Sequence, residues 1–214
     1  MSFRAARPAT LSRLLPEGAG EHVLAALQAI GIRFSLRSLP KSVLEQDGRV
    51  EITLASGETH VVDHVIAAIG LQPRTALASK AGLATTRGIA VDRMLRTSDP
   101  HVYALGDCAE VEGHLLPFVA PILNAVCALA QTLSGQPTPV VYPPMPGVVK
   151  TPACPMVVAS PPWNAEGVWE VRRSDNGVRA PFSSQAGELL GFALVGEAVR
   201  EKNALTTALP LVLA

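Results

Sequence analysis

The chain has 214 residues, enough for one large domain or two small ones. Lys+Arg and Asp+Glu both number 18, so the formal net charge is +0, which gives no footing for a nucleic-acid or membrane-surface binder. Hydrophobic residues make up 48% and aromatics only 4%, leaving Ala, Leu and Val to supply most of the core. No apolar run approaches the ~18 residues of a membrane span. The basic opening MSFRAARPATLSRLL lacks an apolar h-region and a small-residue cleavage site, so a cytoplasmic location is expected. Cys108, Cys127 and Cys154 form no CxxC or CxxxxC pair, which speaks against a disulfide framework and a redox dithiol. Each is expected as a small buried residue.

Pro16 to Ile30 (PEGAGEHVLAALQAI) reads as a helix. Pro16 suits its first turn, Glu17 and Glu21 its positive end, and Gly31 its stop. Val23, Leu24, Leu27 and Ile30 form one apolar stripe. Gly18 and Gly20 resemble the start of a dinucleotide fingerprint, but no strand precedes them and position 23 is Val; helix-start glycines are the better reading. A short strand over 32–38 follows, then a β-meander over 42–46, 50–54 and 59–70 with turns at Asp47-Gly48 and Ser56-Gly57. Its last strand, Val65-Ile66-Ala67-Ala68-Ile69, reads as buried and runs into Gly70-Leu71-Gln72-Pro73-Arg74. His60, Asp63 and His64 have a spacing seen in metal pairs, yet on a strand they do not share one face, so solvent-facing residues are expected.

Gly88 to Asp92 reads as a strand, and the stretch TSDPHVYALGDCAE, Thr97 to Glu110, comes next. The apolar run Val102 to Leu105 reads as a strand that stops at Gly106-Asp107. Gly106 lets a ligand approach the backbone, and Asp107 offers a carboxylate at a strand's carboxyl end, where open α/β sheets bind ligands. A carboxylate accepts from hydroxyls and repels phosphate, so a polyol or sugar fits best; an Asp turn with no ligand is the alternative. After a loop over 108–117, a helix from about Pro121 to Leu133 closes at Gly135. Free N–H groups at Phe118, Val119 and Ala120 can donate to an electron-rich acceptor or simply be solvated. The proline-rich stretch 137–146 marks a linker. Beyond it, strands at 148–158, 168–173, 177–183 and 189–194 and a helix at 197–209 form a small α+β unit.

Thr97, four residues, then Val102-Tyr103-Ala104-Leu105-Gly106-Asp107 resembles the second FAD-binding motif of the two-dinucleotide-domain flavoprotein reductases. Helix, strand, meander and DHVIAAIGLQPRT are similar to the second half of the NAD-binding domain in that family, with Arg74 read as structural rather than as a phosphate ligand. GLQPRT, TSDPHVYALGDCAE, ALAQTLSG and above all VKTPACPMVV narrow the resemblance to the rubredoxin–NAD(+) reductase family of FAD-dependent pyridine nucleotide-disulfide oxidoreductases. The fold class implied is α/β plus α+β, the C-terminal part of such a flavoprotein. Residues 1–78 would be the remainder of an NAD(H)-binding domain, 79–136 the terminal segment of an FAD-binding domain, and 137–214 a C-terminal α+β domain.

The resemblance implies FAD and NAD(H) as cofactors and rubredoxin as electron acceptor. Gly106 and Asp107 would hold the ribityl chain, the Val119 backbone the isoalloxazine, and Lys150 would lie near the ring as a cation. A Lys between Val149 and Thr151-Pro152 on an apolar strand needs either such a partner or an exposed strand edge. Both Gly-rich fingerprints of the family are missing, so the chain alone is expected to bind FAD weakly or not at all and to be inactive by itself. The alternatives are a ferredoxin-type or nitrite-reductase-associated NADH flavoreductase, and a non-catalytic remnant that serves as a binding module.

Overall fold

The computed structural model describes residues 11–12 and 14–214, together with the backbone of residues 2–5. They fold into two compact units. The first comprises the described residues up to Ala67 and Pro146–Leu209; the second comprises Ala68–Met145 and Pro210–Ala214.

In the first unit, strand β1 (Ser2–Ala5) pairs in parallel with β2 (Arg33–Leu36), and helix α1 (Glu17–Ala29) lies between them in sequence. Pro16 is the N-cap of α1 and Gly31, at φ 85°, follows its end, as the sequence pattern predicts. The meander is also present: β3 (Pro40–Gln46), β4 (Arg49–Leu54) and β5 (Thr59–Val62) pair in order, with Gln46 opposite Arg49 across the Asp47-Gly48 turn. Strand formation then stops. Residues 64–72 are all exposed, Ile66 at 84% and Ile69 at 94%, so the buried strand expected over 65–69 does not form. A run apolar on both faces needs a layer on each side, and no described strand pairs with this one.

The rest of the first unit is a six-stranded sheet. Strands β9 (Gly147–Val149), β10 (Met156–Ala159), β11 (Val168–Trp169), β12 (Arg172–Ser174), β13 (Gly177–Ser183) and β14 (Leu189–Gly196) lie in the order β11-β13-β14-β10-β9, with β12 also on β13. The single strand expected at 148–158 is therefore two antiparallel strands, Val149 opposite Met156, because Pro152 and Pro155 interrupt the ladder. Side-chain alternation builds a core on each face of the sheet. Met156, Val158, Ala193 and Val195 bury against Ala19 and Val23 of α1, whereas Val157, Phe192 and Leu194 bury on the other side with Ala198, Val199 and Leu205. Those last three come from a 3-10 helix (Glu197–Glu201) and helix α4 (Lys202–Thr207), which fill the span read as one closing helix. Ile30, placed on the apolar stripe of α1 by periodicity, is 62% exposed, since the helix ends before it.

The second unit holds helix α2 (Ala76–Lys80), strands β6 (Ile89–Val91), β7 (Ala109–Val111) and β8 (His114–Leu115), and helix α3 (Val119–Leu133). β6 and β7 are parallel; β7 and β8 form a hairpin through Glu112-Gly113, both at positive φ. Leu95, Val111, Ala125, Leu129, Val140 and Tyr142 make the core. Val140 and Tyr142 come from the proline-rich stretch read as a linker, which is packed rather than loose. The Val140 N–H donates to the Arg93 carbonyl at 2.7 Å, and Tyr142 bridges to Leu213. Prolines there fix an extended path that two apolar side chains pin to the core. Of the cysteines, Cys154 is buried, Cys108 half-buried and Cys127 exposed on α3; all three are free. Burial pushes the Cys154 thiol up, against a backbone hydrogen bond involving Gly196.

Glu110 is the buried charged residue among the described residues, 7% exposed in the middle of β7. The Thr86 hydroxyl donates to its carboxylate at 2.6 Å and the Gly88 N–H at 2.9 Å. Arg87 reaches it at 3.4 Å and the Gly113 carbonyl at 2.7 Å. Burial opposes ionisation, but the Thr86 and Gly88 hydrogen bonds and the Arg87 charge outweigh it and hold the carboxyl below its ordinary value of 4.5. Glu110→Ala strands the Gly88 donor and is expected to cost about 2–3 kcal/mol of unfolding free energy. Because the folded value is depressed, the stabilisation is complete above pH 4.5 and is lost as pH falls through the folded value. Urea unfolding between about pH 3 and 7 checks both, with Glu110→Gln expected to flatten the acid slope.

Candidate functional site

The motif around Asp107 is a set of turns rather than the end of a strand. The Asp92 carboxylate accepts from the N–H groups of Met94 and Arg96 at 2.8 and 2.9 Å, fixing a reversal in which Leu95 sits at φ 64°. The Thr97 hydroxyl and the Asp99 carboxylate brace the next turn through the N–H groups of Asp99 and His101. Backbone bonds from Thr97 N–H to the Val102 carbonyl and from Ala104 N–H to the Leu95 carbonyl then lay 102–104 along 95–97. The Val102–Leu105 run is thus held by one bridge, Arg96 to Tyr103, and is not the strand its composition suggests. β-propensity needs a partner ladder, and only this short ribbon is offered.

Asp107 sits at the corner of the turn that follows. The Ala109 N–H donates to the Gly106 carbonyl at 3.1 Å, closing Gly106–Ala109, and the Ile89 N–H donates to the Cys108 carbonyl at 2.7 Å. Gly106 has φ 89° with open space where a Cβ would stand, a conformation that favours glycine and leaves its backbone approachable. The Asp107 side chain is exposed and has no described hydrogen-bond partner or ion pair. Every neighbouring motif carboxylate is engaged in holding the backbone. Asp107 alone among them has no described partner.

α3 begins at Val119, two residues before the start expected from Pro121. Pro121 occupies a first-turn position whose N–H has no intrahelical partner anyway, so it costs the helix nothing. The Phe118 N–H, expected to be free, donates to the Leu116 carbonyl at 2.9 Å, which leaves Val119 and Ala120 as the outward donors. Gly106 and the first turn of α3 meet around one small cavity of about 10 Å³, lined among others by Leu105, Gly106, Pro121 and Ile122. It holds at most a water. Gly106, Asp107 and Val119 all lie in the second unit, and of the three only Gly106 lines that cavity.

Lys150 lies in the first unit, exposed in the connection from β9 to β10 and without a described partner. The Thr151 N–H donating to Val149 and the Cys154 N–H donating to Thr151 shape that connection at the free edge of the sheet. Arg74 is exposed, and Asp63 pairs with Arg49 at 3.5 Å. No group of three or more His, Cys, Asp and Glu converges as a metal site among the described residues, and no described helix is long and apolar enough to cross a membrane. Sequence reasoning passes over Glu110 although it lies inside the quoted motif. The available signal is a lone carboxylate between Ala109 and Val111 in a buried strand.

The chemistry of these groups matches part of an FAD molecule. A free carboxylate suits a hydroxyl-bearing chain, and an approachable glycine backbone and two outward N–H groups suit a flavin. The residues fit the polyol and ring portions of that group. Gly18 and Gly20 form no open cradle for its pyrophosphate: they are buried in the first turn of α1, where a Cβ on Gly18 would stand 2.7 Å from Arg173.

Residues 139–209 match the family described as rubredoxin binding C-terminal domain. A rubredoxin-NAD(+) reductase of Alcanivorax borkumensis is 49% identical over 204 residues, covering 95% of this chain and 53% of its own. A nitric oxide reductase FlRd-NAD(+) reductase of Vibrio vulnificus is 42% identical over 191 residues, covering 89% of this chain and 50% of its own. The crystal structure of a ferredoxin reductase from Rhodopseudomonas palustris superposes with a TM-score of 0.82 at 24% identity, over 99% of this chain and 55% of that one, and so shares the fold. The chain spans about half the length of the curated relatives it matches. Residues 5–132, more than half of the sequence, match the pyridine nucleotide-disulphide oxidoreductase family, and the chain belongs to that family.

Proposed function

We propose that this chain carries the carrier-docking and part of the flavin-holding portion of an FAD-dependent oxidoreductase that moves electrons from NADH to rubredoxin. The observation that carries the reading is Asp107, exposed at the corner of its turn without a described partner, while the nearby Asp92 and Asp99 carboxylates hold backbone N–H groups. The names of the curated relatives and the match of residues 139–209 support rubredoxin as the acceptor. The Vibrio relative supports a related reductase serving another rubredoxin-like acceptor as the second reading.

Within this reading residues 1–78, 79–136 and 137–214 remain assigned to NAD(H), FAD and C-terminal portions. Bound FAD would supply the change from a two-electron hydride donor to single-electron delivery. The chain's own residues bind and orient. The Asp107 carboxylate accepts hydrogen bonds from hydroxyls of the ribityl chain, and Gly106 lets that chain lie against the backbone. The N–H groups of Val119 and Ala120, at the positive end of the fifteen-residue helix α3, donate to the electron-rich end of the ring. Lys150 offers a cation that raises the electron affinity of whatever lies beside it. The pyrophosphate elements come from outside this sequence.

Two outcomes follow. The purified chain, equilibrated with FAD, is expected to retain far less than one flavin per chain after desalting; a stoichiometric yellow complex would contradict the division of labour. When the chain is assembled with the half of the Alcanivorax relative that it does not match, Asp107→Ala is expected to weaken FAD retention about 10–100-fold, the range for a lost hydrogen bond to a charged group. Flavin fluorescence titration reads the change, and unaltered retention in the Ala variant would remove Asp107 from the site.

A further inference from the structure

The chain has two tryptophans with opposite surroundings. Trp169 is half-buried in β11 and packs edge-on against Phe182, ring centroids 5.3 Å apart at 62°. Trp163 is 96% exposed, in the connection from β10 to β11, and has no described partner. An indole left in water keeps about 150–250 Å² of mostly apolar surface hydrated, an arrangement with no folding benefit to offset it.

The segment that presents Trp163 is held firmly at its base. In the stretch Ser160-Pro161-Pro162-Trp163-Asn164-Ala165, two successive prolines fix the backbone φ values. The Ala165 N–H donates to the Pro162 carbonyl at 3.0 Å, closing a four-residue turn with Trp163 and Asn164 at its corners. Pro161 lies directly over Gly191 of β14, so close that a Cβ there would stand 2.7 Å from the Pro161 nitrogen. The glycine is what lets the turn seat on the sheet. A rigid turn with its base seated on the central sheet therefore holds out one large apolar side chain, which loses little conformational freedom when it is covered. Tryptophan held this way is the residue type that most often dominates protein–protein binding energy.

The arginine cluster of this unit is not a free charged surface. Arg172, Arg173, Arg179 and Arg200 gather around a cavity of about 380 Å³, but each already meets a carboxylate, from Glu170, Glu21, Glu201 and Glu197 respectively. An apolar anchor is the stronger feature.

We propose that Trp163 is the anchor by which this chain docks the rubredoxin-type electron carrier, inserting its indole into an apolar recess of that protein. The inference rests on the proposed function for the identity of the carrier, and on the placement of Trp163 inside residues 139–209, the segment matching the rubredoxin-binding family. It adds the residue and the mode of contact.

Calorimetry with zinc-loaded rubredoxin, which neither accepts electrons nor absorbs tryptophan emission, tests it on the full chain. Trp163→Ala is expected to raise Kd about 10–100-fold with an unchanged melting temperature, as suits a hot-spot side chain that touches nothing in the fold. Trp163→Phe is expected to recover part of the affinity. The emission lost between wild type and Trp163→Phe should move to shorter wavelength when the carrier is added. Binding with the same Kd in Trp163→Ala and no emission change would overturn the anchor while leaving rubredoxin as the partner. No binding by the wild-type chain would overturn the carrier itself and the anchor with it. An emission shift produced instead by lipid vesicles alone, or by raising the concentration of the chain alone, would assign the indole to a membrane or a second copy and overturn the proposal.

Discussion

The buried carboxylate of Glu110 is the interaction on which the second unit depends. An ionised group 7% exposed in a strand is tolerable only when its lone pairs are occupied, and Thr86, Arg87 and Gly88 occupy them. The same contacts tie the segment before β6 to β7, and the Arg87 guanidinium extends the tie to the β7–β8 hairpin through Gly113. Gly88 lies so close to this strand that a Cβ on it would stand 2.8 Å from the Cys108 carbonyl. The turn that carries Asp107 is thereby fixed from behind, three residues before the buried charge. Two carboxylates in one motif thus have opposite roles: one is spent inside on holding the backbone, the other stands outside with nothing to hold.

Much of this architecture is legible in the sequence where the signal is local. Asp47-Gly48 makes a hairpin, Pro16 and Gly31 bracket a helix, and the strands expected at 177–183 and 189–194 form, the second running on to Gly196, because turn chemistry and periodicity act within a few residues. What fails is whatever depends on a remote partner. Val65 to Ile69 has the composition of a buried strand, yet burial is a property of covering layers and none of the described elements supplies them. Val102 to Leu105 has strand composition and finds one bridge. The stretch 137–146 has a linker's proline content, but Val140 and Tyr142 are anchored by Arg93 and Leu213 far away in sequence. The candidate site shows the same split. Asp107 stands out because its motif is contiguous; Glu110 does not, because its role is written in Thr86 and Gly88, more than twenty residues earlier.

The family assignment gives these observations a common setting. The chain matches about half the length of its curated relatives, and among its described residues an exposed carboxylate and a helix start suit part of a flavin. Its six-stranded sheet has a core on both faces and is complete in itself, whereas the apolar stretch after β5 stands uncovered. The contrast is physical: one unit closes its own core, and one segment has apolar surface to spare.

The central claim is that the Asp107 carboxylate receives hydrogen bonds from flavin hydroxyls. Its carboxyl carbon resonance, assigned by comparison with Asp107→Asn in the chain assembled with the half of the Alcanivorax relative that it does not match, reports this directly. On saturation with FAD the Asp107 signal is predicted to move while that of Asp99, whose oxygens stay on the His101 N–H, keeps its position. A flavin-saturated protein in which the Asp107 signal does not move would contradict the account.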